Sequence, residues 1–350
     1  MNKKFVSLTL LSAIVALTFF ILPVKPQNIT TLYVEPQLTT IKPLRTFEIN
    51  ISIANVTDLA GWEFKLYYPN SLLNATEIRE GPFLKTAGGT FFTVKEFTDN
   101  YNETHGRIWA ACVLEGQGPG ANGTGTLAII TFKTKLNGTA ILHLAETDLI
   151  DSKMPPNHIS HITVDGNIKI LNVDISILNV ETSKTIVGQG FPVNISVTIK
   201  NLGETIETFN LTIYVNTTSI ASQVTTLPPG DLVILQFMWN TTGWSKGNYI
   251  ISAYATPVLG ETDTENNMLT GGSIIVGVPC DLTGSTPGMP DGICDMRDIG
   301  YFCKKFMTTP SNPDWDPNAD VTGPTPKVPD NIVDMRDIGE ACKNFMKTDP

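Results

Sequence analysis

The chain predicts a mostly β protein: a jelly-roll sandwich, then an immunoglobulin-like sandwich, then a small α unit built on two EF-hand-like loops. Three observations carry this. Apolar and polar residues alternate along many short segments up to residue 277, and 28 glycines and 23 prolines punctuate those segments as turns. An acidic motif near the C-terminus occurs twice in register. Alternation at period two marks strands with one buried face, and closely spaced turns mark sandwiches rather than helical folds.

The first 27 residues stand apart. MNKK followed by FVSLTLLSAIVALTFFILPV is a basic start and an apolar run of about 20 residues, long enough for an export signal that is removed or for a retained N-terminal membrane anchor. Either way the remainder is expected to be extracellular or on the cell surface. Eleven N-x-S/T sequons agree with that compartment: Asn28, Asn50, Asn55, Asn74, Asn102, Asn122, Asn137, Asn194, Asn210, Asn216 and Asn240. Asn50, Asn194 and Asn210 fall on the polar side of alternating strands, where a glycan would face solvent.

From residue 28 to 172 the strands read FEINISI and WEFKLYY, then TFFTV, RIWAACV, LAIITFKTK, TAILHL and HITVDGNIKI. Phe47, Ile49, Ile51 and Ile53 form one apolar face, and Trp62, Phe64, Leu66 and Tyr68 another. A second β unit, 173 to 277, carries VDISILNV, VNISVTIKN, FNLTIYV, LVILQFMWN and YIISAYA, which suits an immunoglobulin-like sandwich.

Residues 278–350 hold the repeat. CDLTGSTPGMPDGICDMRDIGYFCKKF is followed by ADVTGPTPKVPDNIVDMRDIGEACKNF, with Asp281, Asp291, Asp295 and Asp298 each matched 39 residues later by Asp320, Asp330, Asp334 and Asp337. A calcium ion takes about six to eight oxygens, supplied in an EF-hand loop from positions 1, 3, 5, 7, 9 and 12. On that frame the first loop offers Asp281, Thr283, Asp291, the Ile293 carbonyl, Asp295 and Asp298. The second offers Asp320, Thr322, Asp330, the Ile332 carbonyl, Asp334 and Asp337. Two calcium ions are therefore expected. Each loop departs from the frame by a six-residue insertion before position 5, Ser285 to Pro290 and Pro324 to Pro329. Asn331 replaces the position 6 glycine, which Asn can do because it tolerates positive φ. Asp at position 12, shorter than the usual Glu, points to modest affinity, in the ~10⁻⁴ M range of extracellular modules. Each loop runs into an apolar helical pattern: Met296, Ile299, Cys303 and Phe306, then Met335, Ile338, Cys342 and Phe345.

Taken together, the paired loops and helices, with WDPNAD leading into the second copy, resemble a dockerin. The segment VTDLAGWEFKLYYPNSLLNATEIREGPFL with GTGTLAIITFKT resembles a cohesin, the receptor for dockerins. SKTIVGQGFPVNISVTIKNLG with GETDTENNMLT resembles a CARDB domain. The dockerin resemblance implies partner contacts at Met296, Arg297, Met335 and Arg336, and identical pairs imply two equivalent faces. It also implies cohesin- or dockerin-bearing surface proteins as partners, and this chain itself, head to tail, as one more. The competing reading is a surface adhesin whose first sandwich binds polysaccharide.

Other chemistry finds little purchase. Formal net charge is −10, which argues against nucleic acid as a partner, since phosphate binding needs clustered Lys and Arg. Four histidines (His105, His143, His158, His161) supply no third partner for the His158-Ile-Ser-His161 pair. The glycine-rich GQGPGANGTGT lacks the lysine and helix of a phosphate loop. Glu63, Glu96 and Glu115 are the carboxylates that a glycosidase-like pair would draw on, yet no segment outside the modules is long enough for a catalytic domain, so no catalytic residue is expected. Among five cysteines, Cys112 and Cys294 are expected in cores, and a bond between Cys280 and Cys342 would staple the ends of the last unit.

Overall fold

A computed structural model describes residues 29–348. The expected signal or anchor and Asn28 lie outside the described residues. Among those described, no helix is long and apolar enough to cross a membrane.

Ten strands form the first sandwich: β1 (Thr31–Glu35), β2 (Leu38–Ile41), β3 (Thr46–Pro69), β4 (Leu73–Glu80), β5 (Thr90–Thr98), β6 (His105–Leu114), β7 (Ala121–Thr134), β8 (Gly138–Asp151), β9 (Ile162–Val164) and β10 (Gly166–Ile170). The segments FEINISI and WEFKLYY, expected as two strands, are the halves of β3. Its first half pairs with β1 and β7, and its second half with β6 and β8. Between them Asn55 and Asp58 take positive φ (56° and 60°) and the register with β7 shifts. This break explains the sequence pattern. Buried positions are odd before it (Ile49, Ile51, Ile53) and even after it (Trp62, Phe64, Leu66, Tyr68), all at most 3% exposed. Bulges re-aim a strand in this way, so one element serves both layers over a single core.

The middle unit is a three-plus-five sandwich. The smaller sheet runs β11 (Ile175–Thr182), β13 (Pro192–Asn201), β16 (Leu232–Asn240). The larger runs β12 (Ile186–Gly188), β18 (Met268–Gly277), β17 (Gly247–Ala255), β14 (Glu207–Val215), β15 (Thr218–Leu227). Alternate residues of β13 and β14, Val193 to Ile199 and Leu211 to Val215, are fully buried between the sheets.

Two short helices follow, α1 (Met296–Lys305) and α2 (Met335–Lys343). Each opens on a reciprocal capping box, Asp295 with Asp298 and Asp334 with Asp337, which satisfies helix N–H groups that have no partner within the helix. The loops are cross-tied. Cys294 pairs with Lys347 and Met346 beyond α2, while Val333 pairs with Thr308 and Met307 beyond α1.

The expected boundary at 277/278 cuts through one continuous apolar core. Val278, Cys280, Leu282, Cys294, Phe302, Ala319, Val321, Val333 and Ala341 share a cluster with Ile186, Val187, Phe191 and the rest of the middle sandwich. The first sandwich keeps a separate core. Its junction with the middle unit includes the ion pairs Lys42–Glu207 (2.8 Å) and Lys169–Glu204 (2.6 Å).

Of the helical pattern read from sequence, Ile299 and Ile338 pack against the core while the other positions turn to solvent. Met296 and Met335 are 67% and 65% exposed, Phe306 and Phe345 are 42% exposed, and Cys303 and Cys342 are exposed. The faces turned to the core carry Asp298 with Phe302 and Asp337 with Ala341, because each helix must bring its position 12 carboxylate into the loop. The expected Cys280–Cys342 bond is absent. All five cysteines are free; Cys280 is buried beside Asn344, whose Nδ2 lies 3.7 Å from its sulfur, while Cys342 is exposed.

Candidate metal loops and a candidate receptor face

The two acidic loops close on backbone donors in the same way. Asp281 accepts from the N–H groups of Asp291 (3.2 Å) and Gly292 (2.7 Å), and Asp320 from those of Asp330 (3.2 Å) and Asn331 (2.8 Å). Asp298 accepts from Leu282 (2.8 Å), Thr283 (2.9 Å) and Asp295 (2.8 Å); Asp337 accepts from Val321 (2.7 Å), Thr322 (2.9 Å) and Asp334 (2.8 Å). Thr283 and Thr322 hydroxyls accept from Gly288 and Lys327 inside the inserted segments. Corresponding distances agree within about 0.1 Å, so the duplication extends from sequence to hydrogen bonding.

The six-residue insertions do not displace position 5. They loop out, and the chain returns so tightly that a Cβ on Gly284 would stand 2.6 Å from Asp291 Cβ, and one on Gly323 2.7 Å from Asp330 Cβ. Sequence reading missed these glycines, although GSTPGMPD and GPTPKVPD place one at position 4 in both copies. The position 6 turn is as expected: Gly292 and Asn331 have φ of 90° and 68°.

Among the described residues, no three His, Cys, Asp or Glu side chains gather as a metal cluster. The four acids of each loop stand as two pairs. Asp281 with Asp298, and Asp320 with Asp337, are at most 2% exposed. Asp291 with Asp295, and Asp330 with Asp334, are bridged by Arg297 and Arg336. Burial drives the Asp281 carboxyl up to about 6 and raises Asp298, Asp320 and Asp337 as well; the neighbouring carboxylates add to the shift in each case. Asp295 and Asp334 are held low by the arginine hydrogen bonds. Inner pairs offset by backbone N–H groups, with the Lys184 charge added at Asp320, are poorly compensated. Asp330 Oδ1 is buried with no partner at all. An all-oxygen donor set, a tight return beside each position 4 glycine and an orphaned inner oxygen fit a hard dication.

The second loop also touches the middle sandwich. Lys184, 4% exposed, donates from Nζ to the Asp320 carbonyl, and burial pushes its pKa down to about 8 against the pull of Asp320, Asp337 and Asp316. Asn318 Oδ1 accepts from the N–H groups of Thr185 (2.9 Å) and Ile186 (3.0 Å). Nothing in the local pattern of SKTIV announced this contact.

On the first sandwich, β5, β6, β3 and β8 pair side by side. Their outer face has a groove of about 260 Å³ lined by Gly61, Phe91, Val113 and Ile150, with Glu63 and Lys95 beside it. Phe91 is 60% exposed. Trp109 lies in the next row, with Lys65 and Lys95 ammonium groups 4.6 and 4.8 Å from its ring centroid and its Nε1 donating to Glu63 (2.8 Å). Glu96 is engaged by Arg107. His158 and His161 bond separately, to Asp148 and to Thr147, rather than facing a shared ligand.

Known proteins can now be set against these units. Residues 172–271 match the CARDB family model. The chain is similar to a non-cellulosomal cohesin from the archaeon Archaeoglobus fulgidus, at 17% identity over 41% of this chain and 91% of that one, TM-score 0.33. It is similar to a chain of a type I cohesin–dockerin complex from Clostridium thermocellum, at 16% identity over 41% and 94%, TM-score 0.33. A CARDB domain from Pyrococcus furiosus, described in complex with di-metal ions, matches at 25% identity over 31% and 96%, TM-score 0.27. The sequence matches none of the curated proteins.

Proposed function

We propose that this chain is a non-catalytic, extracellular assembly protein. Its C-terminal loops bind two calcium ions and, once loaded, plug into a receptor sandwich of the kind formed by residues 28–172. The observation that carries the reading is the closure of both loops around buried aspartate pairs with one hydrogen-bond scheme. Asp281, Thr283, Asp291, Ile293, Asp295 and Asp298 would hold one ion, and Asp320, Thr322, Asp330, Ile332, Asp334 and Asp337 the other. Bound calcium supplies positive charge that offsets the buried carboxylates, coupling metal binding to folding.

The plug surface is the exposed stripe that includes Met296 and Met335, apolar side chains that a free module would otherwise leave in water. The receptor surface is the groove beside Phe91 and Val113, whose apolar lining suits such side chains. Export is supported by the N-terminal apolar run and by the sequons, since none of the ten described asparagines is buried. For the polysaccharide reading, Trp109 is the aromatic ring on the receptor face, and it already carries two ammonium groups over it.

The test mixes residues 29–171 with residues 172–350, the latter kept whole because they share a core. Calorimetry is run in calcium, in chelator, and with oligosaccharides in place of the second piece. Calcium-dependent association supports the proposal. Oligosaccharide binding by residues 29–171, without association of the two pieces or of residues 172–350 with envelope proteins, would sink it in favour of the adhesin.

A further inference from the structure

The arginine at position 11 of each loop, one residue before the position 12 aspartate, bridges two of the loop's carboxylates, and the role given to it here rests on the calcium reading above. Arg297 Nη2 lies 2.7 Å from Asp291 Oδ2 and 2.6 Å from Asp295 Oδ2, and its Nε is 3.0 Å from Asp295 Oδ2. Arg336 repeats the bridge, 2.7 Å from Asp330 Oδ2 and again onto Asp334, with Nε 2.9 Å from Asp334 Oδ2. The bridged acids are those at loop positions 5 and 9, four residues apart in each copy, Asp291 with Asp295 and Asp330 with Asp334.

 

An exposed ion pair adds little to fold stability, and Arg297 and Arg336 side chains are 45% and 39% exposed. The same bridge in both copies therefore calls for a role other than stability. A guanidinium is planar and permanently charged, and its fixed fork of N–H groups sets the relative orientation of two carboxylates in a way that an ammonium does not. In the second copy the bridge takes Asp330 Oδ2 while Oδ1 is left buried and unpartnered. We infer that Arg297 and Arg336 are positioning residues for the calcium loops, each clamping one oxygen of the position 5 carboxylate and both oxygens of the position 9 carboxylate and leaving the other position 5 oxygen to the ion. Metal ligands are commonly oriented by such outer partners, and losing one costs about tenfold to a hundredfold in affinity. Two rival roles make different predictions. An arginine that calcium must displace would weaken binding by its presence, and an arginine that only meets a protein partner would leave calcium affinity alone.

The test is calcium titration of the full-length chain by calorimetry, with terbium luminescence as a second readout, for the unsubstituted protein, Arg297→Gln, Arg336→Gln and Arg336→Lys. Each glutamine variant is expected to weaken one of the two sites by about tenfold to a hundredfold and spare the other. Arg336→Lys should recover only part of the loss, because it restores charge without the fork. Unchanged or tighter binding in both glutamine variants overturns the inference, as does full recovery by lysine. Should Arg336→Gln fail to fold, Arg297→Gln carries the same test in the other loop. No calcium binding by the unsubstituted chain overturns the proposed function itself, and this inference with it.

Discussion

Replacing Gly284 by alanine isolates the device that tolerates the loop insertion. The added Cβ would stand 2.6 Å from Asp291 Cβ and 2.9 Å from its Cγ and Oδ2, roughly 1 Å inside ordinary carbon contact. Gly284 has no positive φ to defend, so alanine brings steric overlap without backbone strain. Asp291 must retreat, and overpacking of this kind costs about 1–3 kcal/mol. If that cost falls on the position 5 ligand, calcium affinity at the first site drops by about 5- to 150-fold, at 1.4 kcal/mol per decade. The assay is a two-site calcium titration of residues 172–350, with Gly323→Ala as the matching change in the second loop. Each variant should lose one site. Two unchanged sites in Gly284→Ala would refute the claim that the looped-out insertion delivers Asp291 to the ion.

Three further outcomes follow from the same geometry. Calcium at about 100 times its dissociation constant should stabilise residues 172–350 by about 2.7 kcal/mol per ion, read from denaturant unfolding in calcium and in chelator; superimposable curves would exclude both sites. Phe302→Ala removes a fully buried ring from the shared core at a cost of about 3–5 kcal/mol, and it should lower a single transition that includes Trp239 of the middle sandwich; an unmoved Trp239 signal would show that the core is not cooperative. Serine at Met296 or at Met335 alone should leave partner affinity within about threefold, while serine at both should abolish it, an expectation that a large loss from one change in a calorimetric titration would contradict.

The sandwiches were legible because a buried strand face repeats every second residue. The parity change between Ile53 and Trp62 even contained the bulge that joins the two halves of β3, although FEINISI and WEFKLYY read as separate strands. The duplicated aspartates were legible for a different reason: both copies keep the same residue types at the same spacing, and their hydrogen bonds repeat with them. What the helical pattern concealed is that a position 12 carboxylate must point inward, so that Ile299 stays against the core as read, Met296, Cys303 and Phe306 face water, and Phe302 takes the core. Gly284 and Gly323 were visible but had no meaning until the insertion was seen to fold back. Lys184 was beyond reach, because it meets Asp320 across 136 residues of sequence, and no local period encodes such a contact. The cysteines misled by position alone: Cys280 and Cys342 flank the unit, but one is buried and the other exposed.

The two junctions of the chain differ in kind, and that difference bears on how molecules could assemble. Residues 278–348 share an apolar core with the middle sandwich and are held further by Lys184 and Asn318. The first sandwich has its own core, and its contacts with the middle unit include the ion pairs Lys42–Glu207 and Lys169–Glu204 and the approach of Pro43 to Gly260. The latter pair is 48% and 42% exposed, and exposed pairs contribute about 0–1 kcal/mol each and are screened by salt. The joint near residue 172 should therefore yield before the joint near 278 does. On the proposed function, a receptor-like and a plug-like module on one chain would make a heterologous contact, which gives rings or open fibres unless the chain closes on itself, and the softer joint would then set the angle between successive molecules. Replacing Lys42 and Lys169 with glutamine should widen the distribution of distances between probes on the first and middle sandwiches, and about 1 M salt should do the same to the unsubstituted chain. Probes spanning the 278 joint should keep one narrow distance under both treatments. A first joint as narrow as the second, before and after substitution, would refute the hinge and leave the module angle fixed by the fold.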